Sequence, residues 1–150
     1  MRVAIGCDHA GLELKEELTA LLKEMGIETE NMGTDTLQSV DYPDFGGCVS
    51  EAVSRGKVDR AILICGTGIG MSITANKFPR VRAALCNDLF TAKMSRLHND
   101  ANILVMGSRI VGKGLAREIT KVWFETPFEA GRHAERLKKI NLIDEKIKKL

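Results

Sequence analysis

The chain has 150 residues, 44% of them hydrophobic and 28% charged, with a formal net charge of +2. That is the make-up of one globular domain with a sizeable core. It excludes a strongly basic nucleic-acid or membrane surface. It also excludes a spanning helix, since no apolar run nears the roughly 20 residues a bilayer needs.

The first residues, Met1-Arg2-Val3-Ala4-Ile5-Gly6, lack a signal-peptide layout and open a short β-branched strand over 2–7. A cytoplasmic location is therefore expected. A helix follows over 11–23, with Leu12, Leu14, Leu18, Leu21 and Leu22 at near-helical spacing and Gly26 as its stop. Residues 27–32 alternate apolar and polar, as an edge strand does, and 33–42 form a polar loop. Pro43 marks the start of a helix over 44–54, which Gly56 closes. Residues 60–65 are the most continuous apolar run and predict a central strand covered on both faces.

Gly66-Thr67-Gly68-Ile69-Gly70 comes directly after Cys65 and leads into a short helix over 68–77 that Pro79 ends. A strand over 81–86 precedes a helix capped by Asn87-Asp88 and running to about His98, with Leu89, Ala92, Met94 and Leu97 as its apolar side. Then come a strand over 101–106, a helix over 112–124, and a last basic helix from about 128 to 150. Its Leu137, Ile140, Ile143, Ile147 and Leu150 form a stripe able to dock on the chain itself or on a partner subunit. Five alternations of strand and helix predict one α/β domain, residues 1–150, with a five-stranded parallel sheet and right-handed crossovers.

Ligands of such sheets bind beyond the carboxyl ends of the strands. That rule selects Asp8, His9, Tyr42, Cys65 to Gly70, Asn87, Asp88 and Gly107 to Arg109. Cys65 stands out. Its glycines let backbone N–H groups approach an anion closely, and reactive thiols favour the positive end of a helix. Asp8-His9 reads either as a helix cap with a neighbouring histidine or as a ligand-facing pair. His98-Asn99 reads as a helix-ending turn, with Asn99 left-handed. A catalytic His98 there would lie opposite Cys65, unless helix geometry carries it over the sheet or it serves a neighbouring subunit. Arg132 and Arg136 share a helix face, as a solvated basic patch or a phosphate clamp.

The glycine loop lacks the Gly-Lys-Ser/Thr of a P-loop and the G-x-G-x-x-G dinucleotide spacing, although Asp88 lies about twenty residues on. Cys7, Cys48, Cys65 and Cys86 show no metal-ligand spacing, so free thiols and no metal site are expected.

Several stretches together resemble a known family. They are Gly6-Cys7-Asp8-His9-Ala10-Gly11, Asp41-Tyr42-Pro43-Asp44, Ile64-Cys65-Gly66-Thr67-Gly68-Ile69-Gly70-Met71-Ser72-Ile73 and Ala75-Asn76-Lys77, with Ser95-Arg96-Leu97-His98-Asn99-Asp100-Ala101-Asn102, Gly107-Ser108-Arg109 and Gly131-Arg132-His133. In this order they resemble the ribose-5-phosphate isomerase B family, in the wider group that includes galactose-6-phosphate isomerase subunits.

The resemblance implies a Rossmann-like three-layer sandwich, working as a dimer or tetramer with sites between subunits. It implies interconversion of ribose 5-phosphate and ribulose 5-phosphate through an enediolate, without metal or cofactor. A hexose 6-phosphate (allose or galactose) isomerase is the near alternative; a non-catalytic sugar-phosphate-binding module is the distant one. By the same resemblance, Cys65 is the base and His98 the proton donor for ring opening, with Asp8 as helper. Thr67 and the N–H groups of Gly66, Thr67, Gly68, Ile69 and Gly70 hold the enediolate oxygens. Asp8, His9, Tyr42 and Asn99 contact the sugar. Arg109, Arg132 and Arg136 bind phosphate, with His9 assisting.

Overall fold

The computed structural model describes residues 1–150. Five parallel strands, β1 (Val3–Cys7), β2 (Thr29–Asn31), β3 (Arg60–Cys65), β4 (Ala83–Leu85) and β5 (Ile103–Gly107), form one sheet in the order β2-β1-β3-β5-β4. Six α-helices surround it: α1 (Leu12–Glu24), α2 (Tyr42–Ser54), α3 (Ile69–Ala75), α4 (Leu89–Leu97), α5 (Lys113–Glu125) and α6 (Arg132–Ile147). The expected α/β sandwich is therefore observed, with β3 at the centre and β2 and β4 at the edges. No helix is long and apolar enough to cross a membrane.

Strand alternation sorts the core into two layers. Ile62 and Ile64 of β3 pack with Leu14, Leu18 and Leu22 of α1 and with Ile119 and Trp123 of α5. Ala61, Leu63 and Cys65 face the other way, toward Val49 and Val53 of α2 and Met71 of α3. Cys7 and Cys65 both end strands, yet they lie on opposite faces of the sheet. Burial pushes the Cys7 thiol up to about 11, and raises Cys86 as well, so both are packing residues. All four cysteines are free.

Three local expectations are corrected. Helix α2 begins at Tyr42, two residues early, because Asp41 sits in extended backbone as N-cap and Pro43 fits the first turn. Helix α3 is shorter than expected, since Gly68 is its left-handed N-cap with φ +79° and Asn76 its C-cap. Helix α4 buries Ala92, Ser95 and Arg96 rather than the side expected from Leu89, Met94 and Leu97; Leu89 is exposed. The reason is Trp123, whose ring lies 5.4 Å from the Arg96 guanidinium and 5.5 Å from that of Arg60. Asp88 caps α4 by accepting from Thr91 N–H at 2.7 Å, so it is engaged within the fold.

Candidate active site

The strand ends of β1, β3 and β5 meet in hydrogen bonds that build a continuous floor. Asp8 N–H donates to Ile64 O at 3.2 Å, Ser108 N–H to Cys65 O at 2.8 Å, and Arg109 N–H to Gly66 O at 3.0 Å. The Ser108 hydroxyl donates to Ala10 O at 2.7 Å and ties the β5 end to the β1 turn. Gly107 presses on the loop so closely that a Cβ there would lie 2.5 Å from the Thr67 carbonyl carbon.

Cys65 points its sulfur under this loop. Sγ accepts the Gly68 N–H at 3.2 Å, and the residue is 4% exposed. Thr67 Oγ1 accepts the Ile69 N–H at 3.3 Å, which leaves its own hydroxyl proton to donate outward. A Cβ on Gly70 would stand 2.5 Å from Tyr42 Cζ, and one on Gly66 3.3 Å from Arg109 Nη1. The missing side chains thus let a phenol and a guanidinium close over the two ends of the amide cradle. Helix α3 has only two turns, so the loop amides carry more of the cradle's polarity than the helix end does.

Asp8 and His9 complete this edge. Asp8 is buried, and its Oδ1 accepts the Ala10 N–H at 3.0 Å as cap of the 3-10 turn His9–Gly11. Its Oδ2 takes no hydrogen bond within the chain and stays free for a ligand hydroxyl. His9 Nδ1 accepts the Val40 N–H at 3.1 Å. That bond fixes the neutral tautomer: the proton sits on Nε2, and the ring presents a donor outward. Of the two readings of Asp8-His9, the cap is the one observed. Nothing local in the sequence marks Val40. The polar loop holding it is tied down by buried Lys15, whose ammonium donates to Asn31 Oδ1 at 3.1 Å, Thr34 O at 2.7 Å and Asp35 Oδ1 at 2.5 Å. Those bonds hold the Asp35 carboxyl below its usual range.

The remaining candidates lie elsewhere. His98 follows α4 and leads into the amino end of β5, at the opposite sheet edge from Cys65. Its turn is pinned from below. Arg82 donates to Asn99 O at 3.0 Å and Asp100 O at 2.9 Å, and Arg96 donates to Asp100 Oδ1 at 2.9 Å and Ala101 O at 2.5 Å. The left-handed residue is Asp100, φ +44°, not Asn99 as expected; Arg96 and Arg82 hold its carboxylate there. Arg132 and Arg136 begin α6 beside this turn, as the stacking of His133 on His98 shows. Both are exposed, and neither has a carboxylate partner. Arg109 also lacks one, whereas Arg2, Arg55, Arg82, Arg96 and Arg117 are paired with acids. The three proposed phosphate ligands are thus unneutralised cations. The candidate residues fall in two separate groups on one chain: Asp8, His9, Tyr42, Cys65 to Gly70 and Arg109 at one edge, and His98, Asn99, Arg132 and Arg136 at the other.

One cluster has metal-ligand chemistry. One ring nitrogen of His98, a Glu129 oxygen and one ring nitrogen of His133 lie within 4.8 Å of one another. The two rings are stacked, 12° from parallel, so their in-plane lone pairs do not converge on one point. The geometry is that of a ring stack sharing a carboxylate.

The model of the ribose/galactose isomerase family matches residues 3–140. The chain belongs to that family. It is 46% identical over 145 residues to the ribose-5-phosphate isomerase B of Escherichia coli strain K12, covering 97% of each chain. Among solved structures, the ribose-5-phosphate isomerase B of Clostridium thermocellum superposes with a TM-score of 0.95 at 52% identity, over 98% of this chain and 99% of that one. The Mycoplasma genitalium isomerase B, determined with bound ribulose 5-phosphate, gives 0.92 at 36% identity over 96% of each.

Proposed function

We propose that this protein is an aldose-ketose isomerase interconverting ribose 5-phosphate and ribulose 5-phosphate through an enediolate. The observation that carries the reading is the Cys65 sulfur at the end of β3, bonded to the Gly68 N–H beside a glycine cradle and an unneutralised arginine. A proton next to a carbonyl is removed by a base placed beside donors that bind the oxygen as it gains charge. Cys65 supplies the base as thiolate, and Thr67 with the amides of 66–70 supplies the donors. The thiolate takes the proton from C2 of the opened aldose, and the enediolate forms. The same sulfur returns the proton to C1, while a proton moves from O2 to O1.

Two half-sites on opposite edges support an enzyme that works as a homodimer or larger assembly, each site taking Cys65 from one copy and His98, Asn99, Arg132 and Arg136 from another. The exposed stripe of Ile140, Ile143 and Ile147 on α6 supplies an apolar face for that assembly. Free thiols suit a reducing, cytoplasmic setting. The test is turnover of ribose 5-phosphate in excess chelator, run beside allose 6-phosphate and galactose 6-phosphate. Ribose 5-phosphate should turn over fastest and keep its rate under chelation. Preference for a hexose would move the substrate to six carbons, and binding without turnover would reduce the protein to a sugar-phosphate module.

A further inference from the structure

Glu129 and His133 lie outside every role assigned above. Glu129 N–H donates to Leu97 O at 3.0 Å, so the carboxylate is delivered beside the turn that presents His98. The chain reaches α6 through two successive positive-φ residues, Ala130 at +60° and Gly131 at +54°. For alanine that conformation is strained, and the result is that Glu129 and His133 meet the same neighbour. Glu129 Oε2 stands 3.9 Å from His98 Nε2 and 3.6 Å from His133 Nε2. The His133 ring is stacked on His98 with centroids 4.2 Å apart. It is 4% exposed, and its Nε2 is buried without a hydrogen-bond partner.

Two imidazoles at that separation do not both carry a proton's charge. Burial first, then the charges of His98, Arg132 and Arg136, push His133 below its ordinary value, with Glu129 opposing.

We propose that Glu129 and His133 are positioning residues for His98, which fix the orientation of its ring, and so serve ring opening and no other step. This rests on the reading of His98 as the ring-opening acid. In that step the C1–O4 bond of the furanose breaks, O4 takes the proton of His98, the C1 hydroxyl gives its proton to Asp8, and C1=O forms. His98 and Asp8 then re-equilibrate with solvent.

Ribulose 5-phosphate separates the steps. Its carbonyl is at C2, and the hydroxyl that would close a five-membered ring is the one carrying phosphate, so it is always open. Exchange of its C1 proton in D2O, followed by proton NMR, needs the base and the cradle but no ring opening. Turnover of ribose 5-phosphate needs both. Glu129→Gln and His133→Leu should lower ribose 5-phosphate turnover about ten-fold or more, a part of the roughly 10²–10⁴ that a positioned acid supplies. Both should leave C1 exchange within about two-fold. A merely structural role would depress the two rates together.

Glu129 is exposed, so the glutamine variant tests the idea even if the leucine variant folds poorly. His98→Asn is the reference. If it shows the split while Glu129→Gln and His133→Leu lower neither rate or both alike, the positioning role is refuted and the ring-opening role stands. If His98→Asn loses both rates or neither, the role of His98 is refuted and this proposal with it.

Discussion

Gly68 offers a graded test of how tightly the cradle is built. Its φ is +79°, and a Cβ would meet Leu85 Cδ1 at 2.5 Å, the Met106 carbonyl carbon at 3.0 Å and Gly107 N at 3.1 Å. Gly26 has nearly the same backbone, φ +75°, with nothing within 4 Å of the added atom. Gly26→Ala should therefore cost only the left-handed strain, about 1–2 kcal/mol. Gly68→Ala carries that strain and in addition about 1–3 kcal/mol of overpacking, because two of the three obstructing atoms are backbone of the central sheet and do not rotate away. Urea unfolding of both variants at one fixed protein concentration measures the difference. Gly26→Ala should keep full turnover, while Gly68→Ala should lose most of it as the amide bonded to Cys65 shifts. Equal stabilities, within about 0.5 kcal/mol, would mean that the loop is not packed against β5 as described.

Further outcomes follow from other residues. An equimolar mixture of Cys65→Ala and His98→Asn protein, unfolded and refolded together, should regain about a quarter of the wild-type rate if the enzyme is a dimer, because half the dimers are mixed and one of their two sites is whole; no recovery would place each site within one chain. Arg132→Ala and Arg136→Ala should each raise KM for the phosphorylated sugar about 10- to 100-fold, the worth of a charge-assisted hydrogen bond, with small effects on kcat. Cys7, pushed up to about 11, keeps its proton in the folded protein above the pH at which an unfolded thiol ionises. Stability from this group is thus full below about pH 8.5 and falls as pH climbs toward 11, a slope that Cys7→Ala should flatten in denaturation curves. Lys15→Met should cost about 1–3 kcal/mol by leaving the buried Thr34 carbonyl unpaired, and should raise KM as the loop bearing Val40 releases His9.

Much of this was readable along the chain because it depends on near neighbours. The apolar run of β3 matches its observed bounds residue for residue, since a strand buried on both faces leaves no polar break to mistake. The Cys65 loop followed from glycines whose absent side chains have a local consequence. What was hidden depends on distant partners. Arg96 broke the apolar face expected of α4 because Trp123 receives it. Asp100 rather than Asn99 turned left-handed because Arg82 and Arg96 reach its carboxylate and the neighbouring carbonyls. The Val40 N–H that sets the His9 tautomer is 31 residues away from it. Glu129 carried no motif at all; only the fold brings it to His98. The position of His98 opposite Cys65, by contrast, was already implied by where a helix C-terminus falls in a parallel sheet.

The thiol of Cys65 is the centre of the account, and one measurement addresses it alone. Wild-type and Cys65→Ala protein are incubated with ribulose 5-phosphate in D2O, and binding of the sugar phosphate is checked in parallel by calorimetry. The account predicts that the variant still binds but that incorporation of deuterium at C1 all but stops. Incorporation at the wild-type rate in the variant would assign the proton transfer to another group.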